Sequence, residues 1–429
     1  MMLCSNRLAQ RHVIVALTFS ASTIAYTDRV NIAVAAVAMK EQLGWSQTEK
    51  GLVLSSFFAG YLLFMFLAGV LATRLGGKRM LGWSVVAWSI FTLLTPPAAT
   101  LSLLSLVAAR IGMGIGEASM FPAAFELFGR WVPPTERARA SALMLSGVPL
   151  GTLVGLVGSA WLVAHFGWPA AFYAFGATGL LWAIGWFRRV QNDPATDSRV
   201  TADERALLAQ LSAPELAPEK VSYRRLLLRG PVVAVVTAHF AANWSLYVLL
   251  SWLPSYFRDV QGLSIANAGL FSAAPWLSMF AASNLIGVIA DRMIKRGVSV
   301  TVMRKVMQCA SLVISAALLL VLRDSQTPAA ALILLCAATA ALGFGFAGFA
   351  PAMLDIAPRQ SGVLFGFSNT FATIPGVVGV ALTGWLVDVT GTYSAAFALT
   401  ATVSCVGALA FGCLFDANPK SAVIEAVSP

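Results

Sequence analysis

The chain has 429 residues, 58% of them hydrophobic and only 11% charged. A soluble globular protein carries roughly 25% charged residues, so this composition excludes a water-soluble enzyme or binding module. The net charge of +10 would suit a nucleic-acid binder, but the basic residues sit in short loops between apolar runs. That is the charge pattern of a bilayer protein and speaks against nucleic acid as a partner.

An apolar run of about 18 or more residues is long enough to cross the hydrocarbon core as a helix. Backbone polar groups inside lipid need internal partners, so such runs must be helical. Twelve spans are expected, at 12–38, 50–73, 80–98, 100–128, 139–164, 169–189, 231–257, 265–290, 301–322, 329–351, 361–388 and 393–415. The short alternating segments of a β-barrel are not seen. The expected fold is an all-α membrane protein with twelve transmembrane helices in two six-helix bundles. The N-terminal bundle covers 1–190 and the C-terminal bundle 231–429. Residues 191–230 form the long polar segment and read as a cytoplasmic linker. In it, Thr201-Ala-Asp-Glu204 has the capping-box pattern that opens a short helix. Arg7 and Arg11 directly precede the first run, which is far longer than a signal-peptide core and reads as a retained span. The start also reads as too short for an organelle transit peptide. The expected setting is a bacterial inner (plasma) membrane.

Loop charges orient the chain. With the N-terminus in the cytoplasm, inner loops and tails hold 23 Lys or Arg, and outer loops hold four: Lys40, Lys50, Arg258 and Arg323. The opposite orientation reverses the bias, so both termini are expected inside. The two halves also repeat each other. Gly69-Val-Leu-Ala-Thr-Arg-Leu-Gly-Gly-Lys-Arg79 follows the second span, and Gly287-Val-Ile-Ala-Asp-Arg-Met-Ile-Lys-Arg296 follows the eighth. Duplicated halves around a central site are a recurring transporter design. Arg74, Arg79, Asp291 and Arg292 in these loops are candidate gating residues.

The repeated loops resemble the signature of the major facilitator superfamily. Tyr26-Thr-Asp-Arg-Val-Asn-Ile-Ala-Val-Ala35 is similar to the first helix of its anion:cation symporter family. That family includes the sialin and vesicular glutamate carriers, plastid phosphate-type carriers and bacterial sugar-acid carriers. Ser55-Ser-Phe-Phe-Ala-Gly-Tyr61 resembles its second helix, and Arg110-Ile-Gly-Met-Gly-Ile-Gly-Glu-Ala-Ser-Met-Phe-Pro122 its fourth. In the second half the resemblance rests on Trp252-Leu-Pro-Ser-Tyr256, Leu354-Asp-Ile-Ala-Pro-Arg359 and Gly366-Phe-Ser-Asn-Thr370. The chain departs from the family at Thr73, where most members carry an acid, and at Ala242, where vesicular glutamate carriers carry a cation. It departs again at Pro351-Ala-Met353, where relatives often show an asparagine.

Asp28, Arg29, Arg110 and Glu117 are charges at membrane depth. Such a charge costs roughly 2.5–3.5 kcal/mol on insertion scales, so it is expected to face protein or water and to pair. Arg110 and Glu117 are seven residues apart, about two helical turns, and share one face. Gly112, Gly114 and Gly116 between them allow close approach. A static ion-pair network is one reading of the four. The resemblance implies another: Arg29 as the contact for substrate anions, Glu117 as the proton-coupling acid and Asp28 as a second protonatable acid. It also places Tyr26, Tyr61 and Asn369 near substrate. Arg110 is a second candidate for the anion, with Asn243 and Ser368, and then Tyr247 and Thr370, as further polar candidates. His239 is expected to make a structural hydrogen bond rather than to titrate in the cycle. Gly147, Gly151 and Gly155 mark either close helix packing or a flexible rocker segment.

The expected function is secondary active transport of a small organic anion, a carboxylate or sugar acid, together with protons, by alternating access. Sodium- or proton-coupled transport of inorganic phosphate is the alternative, and an anion-sensing receptor a third reading. No nucleophile elbow, phosphate loop or metal cluster marks an enzyme. No cofactor is expected. The five cysteines have no metal spacing and read as small buried hydrophobes. The expected partners are the anion, protons and the lipid bilayer, with the protein a monomer.

Overall fold

The structure, a computed structural model, describes residues 9–209, 228–323, 325, 327–356 and 361–417. Cys4, Arg7, the linker from residue 210 to 227, and Ala357-Pro-Arg359 of the second-half motif lie outside the described residues. Every element of two or more turns is helical. In the first half these are α1 (Gln10–Leu43), α2 (Gln47–Leu75), α3 (Gly77–Leu101), α4 (Leu103–Glu117), α5 (Met120–Trp131), α6 (Pro134–Phe166) and α7 (Trp168–Arg189). The linker contributes α8 (Ala202–Ala209). The second half contains α9 (Gly230–Asp259), α10 (Ile265–Lys295), α11 (Val300–Leu322), α12 (Pro328–Gly343), α13 (Phe349–Ile356), α14 (Ser361–Thr390) and α15 (Ser394–Leu414).

Among the described residues ten stretches are long and apolar enough to span a bilayer, or eleven if the bent α2 counts as one. Helix α1 has the length, 34 residues or about 50 Å at 1.5 Å per residue. Asp28, Arg29 and Asn31 in its middle make it less apolar than the rest. Two of the ten are interrupted. The fourth span breaks at Ala118–Ser119 between α4 and α5, immediately after Glu117. The tenth breaks through a 3-10 turn at Phe344–Ala347 between α12 and α13. The sequence reading expected both to be continuous. The breaks fall in corresponding spans of the two halves, where glycines are dense.

Local chemistry sets the helix starts. Ser102 accepts a hydrogen bond from Ser105 N, Ser264 from Asn267 N, Ser299 from Val302 N and Thr327 from Ala330 N. Each satisfies a backbone donor that a first turn leaves unpaired. Gly76, with φ of 81°, makes the one-residue turn between α2 and α3 that residues with a Cβ rarely adopt. Half of the expected capping box opens α8: Thr201 Oγ1 accepts from Glu204 N at 3.3 Å. The Glu204 carboxylate goes elsewhere. It accepts from the backbone N–H groups of Gln10 and Arg11, both at 3.0 Å, and so caps α1. A linker side chain thereby closes the first turn of the first helix.

The outward faces of the helices are strongly apolar. Leu63, Leu104, Leu181, Ile333 and Leu409 are 68–78% exposed. Large apolar side chains left this exposed, on helix after helix, suit a lipid-facing surface rather than a water-facing one. The four described cysteines are free, and Cys405 and Cys413 are exposed rather than buried as expected.

Packing divides the chain into two compact units. One holds the chain through Asn31 with Ala59–Gly158 and Pro169–Ala217. The other holds Ile32–Phe58, Ser159–Trp168 and the chain from Pro218. The second unit therefore takes up one end of α1, α2 and α6 from the first half. In the first unit, Gly147, Gly151 and Gly155 of α6 press against α1 at Phe19, Ser22, Thr23, Tyr26, Thr27 and Val30. Thr27 Oγ1 donates to the Gly151 carbonyl at 3.1 Å. These glycines thus serve close packing, with no room for a Cβ. In the second unit α9 packs on α14 and α15, α10 on α12, and α11 on α12 and α15.

Candidate functional site

The first unit gathers six of the residues singled out in the sequence: Tyr26, Asp28, Arg29, Tyr61, Arg110 and Glu117. They come from the middles of α1 and α2 and from the middle and C-terminal end of α4, and all but Tyr26 are buried. Gly60 of α2 lies against the Ile111 backbone of α4, which brings Tyr61 beside the charged cluster. The sequence left open which of the four charges meet, and the structure pairs Arg29 with Glu117. Arg29 Nε donates to Glu117 Oε1 at 2.9 Å, and its second nitrogen, Nη2, donates to the same oxygen. Nη1 donates to Tyr26 Oη at 3.3 Å. The guanidinium carbon lies 4.5 Å from the Tyr26 ring centre and 5.1 Å from that of Tyr61. Arg29 is therefore walled by two aromatic rings and bonded to an acid 88 residues away. Glu117 Oε2 is buried without a hydrogen-bond partner among the described residues.

Arg110 shares a face with Glu117 as the spacing implied, yet its Nη1 contacts Met113 Sδ at 2.9 Å. It acts electrostatically on both Glu117 and Asp28. Asp28 turns away from the adjacent Arg29, as successive residues on a helix must. Its Oδ2 accepts from the indole Nε1 of Trp88 on α3 at 3.1 Å. Trp88 was missed in the sequence, where a buried tryptophan looks like any other core residue.

The second-half candidates lie in the other unit, on α9 and α14. His239 and Ser368 bond to each other, Nδ1 to Oγ at 2.9 Å, and His239 stacks on Phe349 at 4.5 Å. Histidine thus plays the structural part expected of it. Asn243 Nδ2 donates to the Ala372 carbonyl at 3.0 Å and ties α9 to α14. The Asn369 carbonyl accepts from Thr373 Oγ1 at 2.8 Å, and Thr370 is exposed. The Tyr247 ring sits 4.5 Å from that of Phe58. The candidate gating residues Arg74, Arg79, Asp291 and Arg292 are all exposed, and no side-chain bond joins them to a described residue.

A second polar cluster escaped the sequence reading. Lys50, counted there as an outer-loop charge, is fully buried. Its Nζ donates to Ser255 Oγ at 3.0 Å, lies 3.8 Å from Asp259 and sits 4.8 Å over the Trp252 ring. Tyr393 Oη and Gln47 Nε2 donate to Asp259, at 2.9 and 3.0 Å. Asp388 accepts from the Gln47 and Thr48 N–H groups and so caps α2. Gly51 and Gly384 let α2 and α14 meet closely here. Among the described residues no group of His, Cys, Asp and Glu could hold a metal ion.

Residues 18–376 match the model of the Major Facilitator Superfamily. The chain is 38% identical over 411 residues to the Arabidopsis thaliana protein named sodium-dependent phosphate transport protein 1, chloroplastic, covering 96% of this chain and 80% of that one. It is 37% identical over 415 residues to the ascorbate transporter, chloroplastic, of the same plant, covering 97% and 76%. The probable anion transporter 1, chloroplastic, of Oryza sativa subsp. japonica is 37% identical, covering 97% and 78%. In fold it is similar to a bacterial homolog of the human lysosomal transporter Spinster, with a TM-score of 0.74 at 18% identity over 95% of both chains. It is also similar to a D-xylose-proton symporter, with a TM-score of 0.70 at 13% identity over 96% and 99%. The chain is a multi-pass membrane transporter, not an enzyme. It belongs to the major facilitator superfamily, as the resemblance implied. The compartments that the relatives' names give are chloroplastic, which lends nothing to the bacterial inner membrane expected from the sequence.

Proposed function

We propose that this protein carries a small organic anion across its membrane together with protons, by alternating access. The observation that carries the reading is the buried Arg29–Glu117 pair between two tyrosine rings, with Asp28 one residue away. Guanidinium presents a planar fork that suits a carboxylate or phosphate oxygen. The flanking rings suit a substrate with a carbon skeleton. An intramembrane ion pair that tightens only by excluding substrate is a natural coupling element, because an arriving anion competes with Glu117 for the same cation. Asn243, Ser368 and Asn369 complete the proposal as second-half polar contacts. Two six-helix halves divided at residues 191–230, with both termini cytoplasmic and a single chain as the working unit, belong to the same proposal.

The second reading is inorganic phosphate driven by sodium or protons. It is favoured by the relative named for sodium-dependent phosphate transport at 38% identity. Uptake of labelled gluconate, ascorbate, benzoate and phosphate into proteoliposomes, under an imposed proton or sodium gradient, tests both. Proton-driven uptake of a carboxylate supports the first reading. Uptake of phosphate alone, or drive by sodium alone, replaces it with the second. Arg29→Ala should abolish binding of whichever anion is carried, and Arg29→Lys should restore little.

A further inference from the structure

Trp88 is a buried aromatic residue aimed at a charge of the first unit's cluster. Its Nε1 donates to Asp28 Oδ2 at 3.1 Å, and both side chains are fully buried. The backbone that carries the ring is held closely against α4. A Cβ on Gly116 of α4 would lie 2.9 Å from Trp88 N, so α3 and α4 touch backbone to backbone at this turn. Ser84 Oγ, one turn earlier, donates to the Gly116 carbonyl, and Thr92 Oγ1 donates to the Trp88 carbonyl at 2.9 Å. Indole is a donor with no acceptor, and an ionised carboxylate is an acceptor with no donor. The pair therefore has one hydrogen-bonding sense. Asp28 Oδ1, the other oxygen, is buried and has no hydrogen-bond partner among the described residues. The charges that face Asp28 are Glu117 and Arg110 from α4, with Arg29 following it on α1. From α3 it meets a neutral donor alone, Trp88.

We propose that Trp88 is a positioning residue for proton coupling. It anchors the Asp28 carboxylate by Oδ2, so that the proton is gained and lost at Oδ1. The inference rests on the reading of Asp28 as a proton carrier. The bond also biases the acid. A donor aimed at a carboxylate favours its charged form, so Trp88 promotes release of the proton once it has been carried. Without that donor Asp28 holds its proton to higher pH.

The test needs no substrate. Infrared difference spectra of the full chain in lipid nanodiscs are recorded across a pH titration, and the protonated-carboxyl band of Asp28 is assigned by its loss in Asp28→Asn. Two variants are compared with wild type: Trp88→Phe, and Trp88 replaced by benzothienylalanine, whose ring keeps the indole shape but has no N–H. The expected result is a band that titrates about one pH unit higher in both variants and moves to higher frequency, as a carbonyl does on losing a hydrogen bond. A band that is present but unmoved in the benzothienylalanine protein overturns the role of Trp88, and it does so even if Trp88→Phe fails to fold. A wild-type spectrum in which Asp28→Asn removes no band at any pH overturns the reading of Asp28 itself.

Discussion

The ammonium of Lys50 donates to the hydroxyl of Ser255 at 3.0 Å, although 205 residues separate the two. Lys50 starts the second span and Ser255 ends the seventh, yet both belong to one compact unit. Both are fully buried. A buried cation costs stability unless its donors are satisfied. Lys50 meets that demand with Ser255, the Asp259 carboxylate at 3.8 Å and the face of Trp252.

Lys50→Ala should therefore destabilise the protein by about 1.5–3 kcal/mol, the range for a hydrogen bond to a charged group. Thermal unfolding in detergent measures the loss. A double-mutant cycle with Ser255→Ala isolates the pair from the packing of the lysine stem. Additive single effects would show that the contact contributes nothing.

Asp388 closes the first turn of α2 from a helix that comes late in the chain. It accepts from Gln47 N at 2.9 Å and Thr48 N at 2.6 Å. Asp388→Ala should cost about 1 kcal/mol, the usual loss on removing such a cap. Hydrogen exchange read by mass spectrometry should show faster exchange at residues 47–52 and no change in α11. Unchanged exchange at 47–52 would mean that the cap does not govern the opening of this end.

Much of this architecture was legible in the sequence, because lipid leaves a helix few choices. Apolar runs located the spans, and charges too costly to bury idly pointed to Asp28, Arg29, Arg110 and Glu117. Their pairing was not legible. Arg110 and Glu117 share a face by periodicity, but which residues meet across helices depends on helix rotation, and Glu117 turned toward Arg29 on α1. Lys50 escaped for a related reason. A lysine in the first turn of a helix has the same local pattern whether it faces water or a neighbouring helix. The breaks after Glu117 and at Phe344–Ala347 left a trace in the glycines around them. Such glycines also serve close packing, as Gly147, Gly151 and Gly155 do against α1.

At the other end of α1, Arg11 bonds Glu136 at 3.0 Å, and this hydrogen bond holds the Glu136 carboxyl below the usual glutamate range. A carboxyl shifted downward on folding adds stability above its unfolded pKa, and loses it as pH falls through the folded value. Glu136→Gln should thus lower the unfolding temperature slightly at neutral pH, by less than about 1 kcal/mol for a pair this exposed. The gap from wild type should vanish as pH falls through the acid range below about 4.3, the ordinary glutamate value. A gap that persists undiminished in acid would assign the effect to shape rather than to charge.

The sharpest prediction concerns Glu117, whose Oε1 takes two donors from Arg29 while Oε2 has no partner among the described residues. The guanidinium cannot serve an incoming anion fully while it serves this acid. An anion that engages Arg29 weakens its grip on Glu117, and a carboxylate deprived of its cation in an apolar bundle favours proton uptake. On the proposed coupling, anion and proton bind cooperatively, and linkage requires each to raise the affinity of the other by the same factor. Glu117→Gln imitates the protonated acid permanently. Its amide oxygen still accepts from Arg29, but without the charge, so the anion meets a weaker competitor. Anion affinity should rise roughly tenfold at neutral pH, within the usual range of such coupling, and should lose the part of its pH dependence that Glu117 supplies. Gradient-driven accumulation should stop, because the proton can no longer be released. Counterflow should persist, because exchange of one anion for another requires no change in protonation. Both are read from the same proteoliposomes, loaded with the transported anion and assayed with and without a proton gradient. Uphill accumulation at the wild-type rate would remove Glu117 from coupling. Loss of counterflow in a folded protein would reassign it to anion binding or to structure.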